Sequence, residues 1–310
     1  MLKLQIAKIE PLTPRISAFT LVSESEDPLP DWTPGAHIDI ATSAGARSYS
    51  LISWLTKDPS HYCIAVQRED DGDGGSAAMH ALSLGDIVEA SQPTNDFELL
   101  DQGRPVALLA GGIGVTPLIS MASALASQNQ SFQFHYSGRS AEMMAYLSEL
   151  KETFPDNFHP HFDDTAPLDL PTLMSGFHGH TLYICGPKGM IDAARTAAES
   201  ADIDAAHIHV ELFTNAALTS ASGAFEVEIA SSGQVVPVKP DQSIIDALEE
   251  AGVDLIYDCQ RGDCGICQTD VISGTPDHRD VVLSQAEKDS GKVMQICVSR
   301  ALSPRLVLDL

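Results

Sequence analysis

Residues 257–267 read YDCQRGDCGIC, and thirty positions beyond Cys267 a further cysteine, Cys297, stands in QICVSR, 295–300. Cys259, Cys264 and Cys267 give C-x4-C-x2-C, and with a distant fourth thiol this is the plant-type spacing for a [2Fe-2S] cluster. Gly262 and Gly265 let backbone N–H groups crowd toward inorganic sulfurs, which two structural disulfides would not require. Zinc shares the C-x2-C half-site but normally needs a second short-spaced pair, and Cys297 stands alone. Four thiolates around such a cluster imply a chain that moves electrons one at a time.

Outward from this loop the chain keeps a consistent texture. FEVEIA, a turn at Ser232 and Gly233, and QVVPVKP read as a hairpin, and SIIDALEEAG reads as a helix stopped by Gly252. A hairpin, a helix and a cysteine loop make a ferredoxin-like module over 225–310. Upstream, TNAALTSASGA (214–224) is small and polar, so 217–224 reads as a linker. Between 102 and 216 the strand-like runs VALLA, FQFHYS and TLYICG alternate with the helical spacing of PLISMASALA, AEMMAYLSEL and KGMIDAARTAAES, which implies a parallel α/β sheet. Residues 1–101 break into the short strands LQIAKIE, ISAFTLVS, AHIDIAT, SYSLIS, YCIAVQR and DIVEASQ, the pattern of a small antiparallel barrel.

Length alone suggests two or three domains. The chain has 310 residues, 44% of them hydrophobic, and 18 basic against 43 acidic residues leave a net charge of −25. That charge argues against nucleic acid as a partner and suits either docking on a basic redox protein or solubility in a salty habitat. No apolar run approaches the ~18 residues of a membrane span and the N-terminus lacks a signal-peptide pattern, so a cytoplasmic location is expected. Cys63 and Cys185 lie far from the cluster run and read as buried thiols of a reducing compartment.

Two loops have the chemistry of phosphate binding. LLAGGIGVTPLIS (108–120) sets Gly111, Gly112 and Gly114 between a strand and a helix, where free N–H groups and the helix dipole face an anion. YICGPKGM (183–190) ends another strand with Cys185, Gly186 and Pro187, and ligands of α/β sheets bind beyond such strand ends. In the barrel, Arg47 of RSYSL offers a charge-assisted partner for phosphate. Tyr49 and Ser50 suit an aromatic ring system, and Gly74, Gly75 and Ser76 open a helix-like run.

RSYSL, GGS, Pro93-x-Asn95-x-Phe97, AGGIGVTP, CGP, DHRDVVL, QICVSR and LVLDL together resemble the phthalate dioxygenase reductase family, the compact reductases of Rieske oxygenases that include vanillate demethylase reductases. The resemblance covers essentially the whole chain. It implies an antiparallel β-barrel flavin domain, an α/β nucleotide domain and an α+β plant-type ferredoxin (β-grasp) domain, with FMN and NADH as cofactors beside the [2Fe-2S] cluster. It implies Arg47, Ser48, Tyr49 and Ser50 with Gln67 and Arg68 at the flavin, and Gly74, Gly75 and Ser76 at its phosphate. Gly112, Gly114, Val115 and Thr116 would face the nicotinamide nucleotide, with Cys185, Gly186, Pro187, Glu211 and Phe213 lining the ring. Ser50, Thr116 and Cys185 would lie near the meeting point of the two rings, with no catalytic acid or base. Cys259, Cys264, Cys267 and Cys297 would ligate the cluster, and a separate terminal oxygenase would take the electrons from a monomeric reductase.

One residue departs from the pattern: the family commonly has Arg before GGS, and this chain has Asp73, which sets negative charge beside a phosphate. Arg139 of YSGRS could favour a 2′-phosphate, although Arg is common there in the NADH enzymes as well. Two other functions fit parts of the sequence. A stand-alone flavin reductase or NADH oxidase would carry the cluster as an ancillary group, and a non-enzymatic electron carrier would need no nucleotide loops.

Overall fold

The computed structural model describes residues 1–25, 27–55, 58–213 and 223–310. The expected linker lies outside the described residues except for Gly223 and Ala224. The chain divides into two compact units, Met1–Met190 with Ala197–His209, and Ile191–Thr196 with Val210–Leu310.

The first unit opens with strands β1 (Leu2–Pro11), β2 (Ile16–Ser23), β3 (His37–Thr42), β4 (Gly45–Ser50) and β5 (His61–Gln67), a short helix α1 (Gly75–His80), and β6 (Ile87–Ala90). They form an antiparallel sheet in the order β4-β3-β6-β1-β2-β5, and its end strands β4 and β5 approach each other, so the barrel is near-closed. Alternation along β1 and β2 buries Leu4, Ile6, Phe19 and Leu21 inside it.

Next come β7 (Val106–Gly111), α2 (Val115–Ser127), β8 (Phe132–Gly138), α3 (Leu147–Thr153), β9 (Phe158–Phe162), α4 (Leu170–Ser175), β10 (Thr181–Cys185), α5 (Lys188–Ser200) and β11 (Ile208–Glu211). The sheet order is β11-β10-β7-β8-β9, with β8 and β10 both parallel to β7 and β9 parallel to β8. Connections run outward in one direction from β7 to β9 and then return to the other side at β10. The topological switch point therefore falls between β7 and β10. Barrel residues Ile16, Ala18, Ile52, Ala65 and Phe97 share one core with Leu108, Val115, Leu118 and Tyr136, which fixes the barrel against the parallel sheet.

The stretch AEMMAYLSEL is not one helix. Ala141–Met143 form a single 3-10 turn, Tyr146 takes φ +60°, and α3 starts only at Leu147. Burial of Met144, Tyr146 and Leu150 in the core gives the apolar spacing without helical backbone. Strand β9, FHPHF, escapes a reading by periodicity because Pro160 and two histidines interrupt its apolar pattern. Its histidines stack on β8: His135 lies 4.8 Å from His159 and 5.3 Å from His161 between ring centres, under Phe177 at 5.6 Å. His135 Nδ1 and His161 Nε2 share a hydrogen bond of 3.0 Å.

The second unit carries β12 (Phe225–Ile229), β13 (Val235–Val238), α6 (Ile244–Glu250), β14 (Gln268–Ser273), β15 (Pro276–Asp277), α7 (Gln285–Ser290), β16 (Val293–Gln295), β17 (Arg300–Ala301) and β18 (Arg305–Leu308). Its sheet runs β13-β12-β18-β14-β16, with β18 parallel to β12 and antiparallel to β14. Ser243 and Asp246 form a reciprocal capping box at the start of α6, and Gly252 follows it at φ +81°. Among the described residues no helix is long and apolar enough to cross a membrane.

Candidate functional site

The cysteine loop owes its shape to residues with left-handed backbone. Gln260, Gly262 and Gly265 have φ of +51°, +81° and +80°, and such reversals turn successive N–H groups toward one side, as in anion-binding nests. Gly262 is needed for space as well, since a β-carbon there would sit 2.6 Å from Val298 Cγ2. The four thiols are neighbours in space: Cys264 and Cys297 both donate to the Cys259 sulfur, and Cys297 also to Cys267. Hydrogen bonds from those two thiols hold Cys259 far below the ordinary thiol range, and the donors are raised in return. Arg261 N adds a bond to Cys259 Sγ at 3.3 Å. No disulfide joins any of the six cysteines, and four thiols converging with N–H groups aimed at them fit an iron–sulfur cluster.

The loop is propped from below by residues whose part the sequence did not disclose. Asp280 is fully buried, its Oδ2 accepts from Val282 N at 3.1 Å and Leu283 N at 2.8 Å, and Lys288 Nζ donates to its carbonyl at 2.9 Å. Val281 N in turn donates to Gly262 O at 3.0 Å. DHRDVVL was the one signal for this prop, as a marker of resemblance without a role. Gln295, buried, meets Cys267 Sγ through Oε1 at 3.4 Å. Asp263 Oδ2 accepts from Leu212 N at 2.9 Å, and burial pushes its carboxyl up to about 7.

In the nucleotide sheet the two glycine loops meet at the switch point. A β-carbon on Gly114 would lie 2.3 Å from Cys185 O and 2.7 Å from Gly186 N, and one on Gly186 would lie 3.0 Å from Gly111 Cα. Gly112 has φ +54° with nothing within 4 Å of its missing side chain. Val115 and Thr116 are buried in the first turn of α2, where Thr116 Oγ1 donates to Ile113 O at 3.1 Å, and Pro187 caps α5. Gly112, Gly114, Val115, Thr116, Cys185, Gly186 and Pro187 therefore form one constellation at the carboxyl ends of β7 and β10. Glu211 and Phe213 belong to the second unit; Glu211 is 3% exposed at the end of β11 and Phe213 41% exposed. Arg139 is exposed after β8.

In the barrel, β4 and α1 bring Arg47 over the start of the helix: a β-carbon on Gly75 would lie 2.6 Å from Arg47 Cγ. Gly74 is left-handed at φ +85°, as the turn into α1 requires. Ser76 Oγ accepts from Glu69 N at 3.0 Å, holding the acidic loop against α1. Ser50 ends β4 with a buried hydroxyl that has no hydrogen-bond partner, which makes it a candidate contact for a bound group. Tyr49 packs on the barrel core, and burial pushes its phenol up to about 12. Three expected contributors are turned to other partners. Ser48 lies on the opposite side of the strand from Arg47 and its hydroxyl donates to Asp39, while Arg68 pairs with Asp70 at 2.9 Å and Gln67 with Glu69 at 2.6 Å. Arg47 Nη2 stands 3.5 Å from Asp73 Oδ2.

Comparison with known proteins accords with this arrangement. A model of the 2Fe-2S iron-sulfur cluster binding domain matches residues 227–302. The phenoxybenzoate dioxygenase subunit beta of Ectopseudomonas oleovorans is 39% identical over 94% of this chain and 92% of its own length. The crystal structure described as phthalate dioxygenase reductase, a modular structure for electron transfer from pyridine nucleotides to [2Fe-2S], is 34% identical, with a TM-score of 0.69 over 100% of this chain and 98% of that one. An intact type IV self-sufficient cytochrome P450 monooxygenase aligns with 100% of this chain at 34% identity and a TM-score of 0.72, and this chain spans 41% of it. With near-complete coverage of both the curated relative and the reductase, and with barrel, parallel sheet and cysteine domain in the same order, the chain belongs to the phthalate dioxygenase reductase family.

Proposed function

We propose that the chain is the reductase component of a Rieske-type oxygenase or demethylase system, taking a hydride from NADH at FMN and delivering single electrons through a [2Fe-2S] cluster to the oxygenase. The observation that carries this reading is the presence in one chain of a phosphate-type constellation at a topological switch point and four convergent free thiols. Flavin, when bound, supplies the conversion of a two-electron hydride into the single electrons that such a cluster accepts. Every other part is binding and orientation. Ser50 Oγ offers the flavin ring a buried hydrogen-bonding group, and Arg47 with the N–H groups of Gly74 and Gly75 faces its phosphate. Gly112 and Gly114 leave the backbone bare for a pyrophosphate, and Thr116 and Cys185 flank the place where the nicotinamide meets the flavin. Cys259, Cys264, Cys267 and Cys297 hold the cluster as thiolates. No proton-transferring side chain is required.

A monomer suits a protein that meets its partner transiently, since weak redox encounters use small interfaces. Six cysteines outside any disulfide suit the cytoplasm. We take NADH as the donor, which a kcat/KM ratio in favour of NADPH would overturn. Cys264→Ser tests the path itself. The variant should lose the cluster's paramagnetic resonance signal and electron delivery to cytochrome c while NADH still bleaches the flavin. Cytochrome c reduction at the full rate without a cluster signal would refute the linear path.

A further inference from the structure

Ser120 lies in the second turn of α2 and is 1% exposed. A serine in a helix commonly turns its hydroxyl back on the carbonyl four residues earlier, as Ser127 does here with Ser123 O at 2.8 Å. Ser120 instead spends both of its bonding capacities outside the helix. Its hydroxyl donates to Leu51 O at 2.8 Å and accepts from Ser53 N at 2.9 Å. The intervening Ile52 N bonds to Cys63 O at 2.8 Å and Leu51 N to Ala36 O at 2.8 Å, both within the barrel, while the Ile52 side chain packs in the core shared with Val115 and Leu118.

The two ends of this clamp are telling. Leu51 directly follows Ser50, whose buried hydroxyl is unpartnered. On the helix, Thr116 precedes Ser120 by four residues, and residues so spaced lie one above the other on the same helical face. Thr116 sits in the turn that begins with Gly114 and closes on Cys185. One buried hydroxyl thus links the end of β4 to the helix that carries the nucleotide loop.

We infer that Ser120 is a positioning residue for hydride transfer, setting the distance and tilt between the ring held at Ser50 and the ring held beside Thr116. The inference rests on the proposed placement of flavin and nicotinamide at those two residues. Misplacement by about an ångström costs a reaction of this kind up to roughly a hundredfold. Removing the hydroxyl takes away two hydrogen bonds between the Leu51–Ser53 segment and α2 without touching either ring, leaving the apolar packing of Ile52 to hold the register.

The test uses the FMN- and cluster-loaded protein and its Ser120→Ala and Ser120→Thr variants. Anaerobic mixing with NADH should bleach the flavin of Ser120→Ala roughly tenfold or more slowly at saturation. Its Kd values for FMN and NADH should stay within about twofold of wild type, since the bonds lost are not to either ligand. The long-wavelength charge-transfer absorbance of nicotinamide against flavin should weaken in Ser120→Ala and recover in Ser120→Thr, which keeps the hydroxyl. A wild-type bleaching rate and charge-transfer band in Ser120→Ala would overturn the inference. So would a rate loss that tracks weakened FMN binding, which marks a merely structural role. A wild-type flavin that NADH fails to bleach would overturn the functional reading itself, and the inference with it.

Discussion

Gly114 and Cys185 approach so closely that there is no room between them for a methyl group: a β-carbon on Gly114 would stand 2.3 Å from the Cys185 carbonyl oxygen. The obstacle is backbone on both sides, so no side-chain rotation can relieve it. Gly114→Ala should therefore cost stability of the order of 1–3 kcal/mol, as overpacking does, and weaken NADH binding by parting the two loops. Gly112→Ala is a control for stability only, because Gly112 also faces the pyrophosphate: φ +54° strains it, but nothing lies within 4 Å, so its loops stay together. Chemical denaturation and NADH titration of both variants check this; equal NADH binding by wild type and Gly114→Ala would show that the loops tolerate separation.

Arg47 is the cation at the start of α1, and Asp73 holds part of its charge at 3.5 Å. Asp73 is 92% exposed in its side chain, so the pair is weak and open to salt. Asp73→Asn should tighten FMN by roughly 2- to 5-fold at low ionic strength, and Asp73→Arg by more, with the gain fading as salt is raised. Fluorescence titration of FMN at two salt concentrations measures it. Unchanged affinity at low salt in both variants would mean that Asp73 does not act on the phosphate.

The histidine stack gives a pH signature in the fold. Burial, with smaller contributions from His159 and His161, pushes His135 down to about 3 from an ordinary 6.5. Above pH 6.5 the imidazole is neutral whether the chain is folded or not. Below it the unfolded chain takes a proton that the folded one refuses until about pH 3, so stability falls across that window. At pH 5 the loss from this one group is up to about 2 kcal/mol. His135→Gln keeps a polar group beside Gln133 and His161 and should lose less stability than wild type between pH 7 and pH 5 in urea unfolding. Parallel curves for the two proteins would assign the acid lability to carboxylates instead.

What could be read from the chain followed local chemistry. ISAFTLVS and KGMIDAARTAAES have the bounds their periodicity suggests, and the cysteine and glycine runs mark their loops because spacing within a few residues dictates backbone shape. AEMMAYLSEL misleads because tertiary burial of Met144, Tyr146 and Leu150 produces helical spacing around a left-handed tyrosine. The supports of the site were invisible for a different reason. Ser120 on Leu51 and Asp280 under Gly262 are pairs that only folding brings together, and nothing in either partner's neighbourhood names the other.

The order β13-β12-β18-β14-β16 has a temporal meaning. Its middle strand is the last of the five in the chain, and it alone joins the β13-β12 pair to the β14-β16 pair. While the domain is being made, Cys259, Cys264 and Cys267 leave the ribosome before the strand that completes their scaffold, and Cys297 leaves only shortly ahead of it. Long-range pairing of this kind closes late. The four thiols therefore meet their complete scaffold only after β18 has been made.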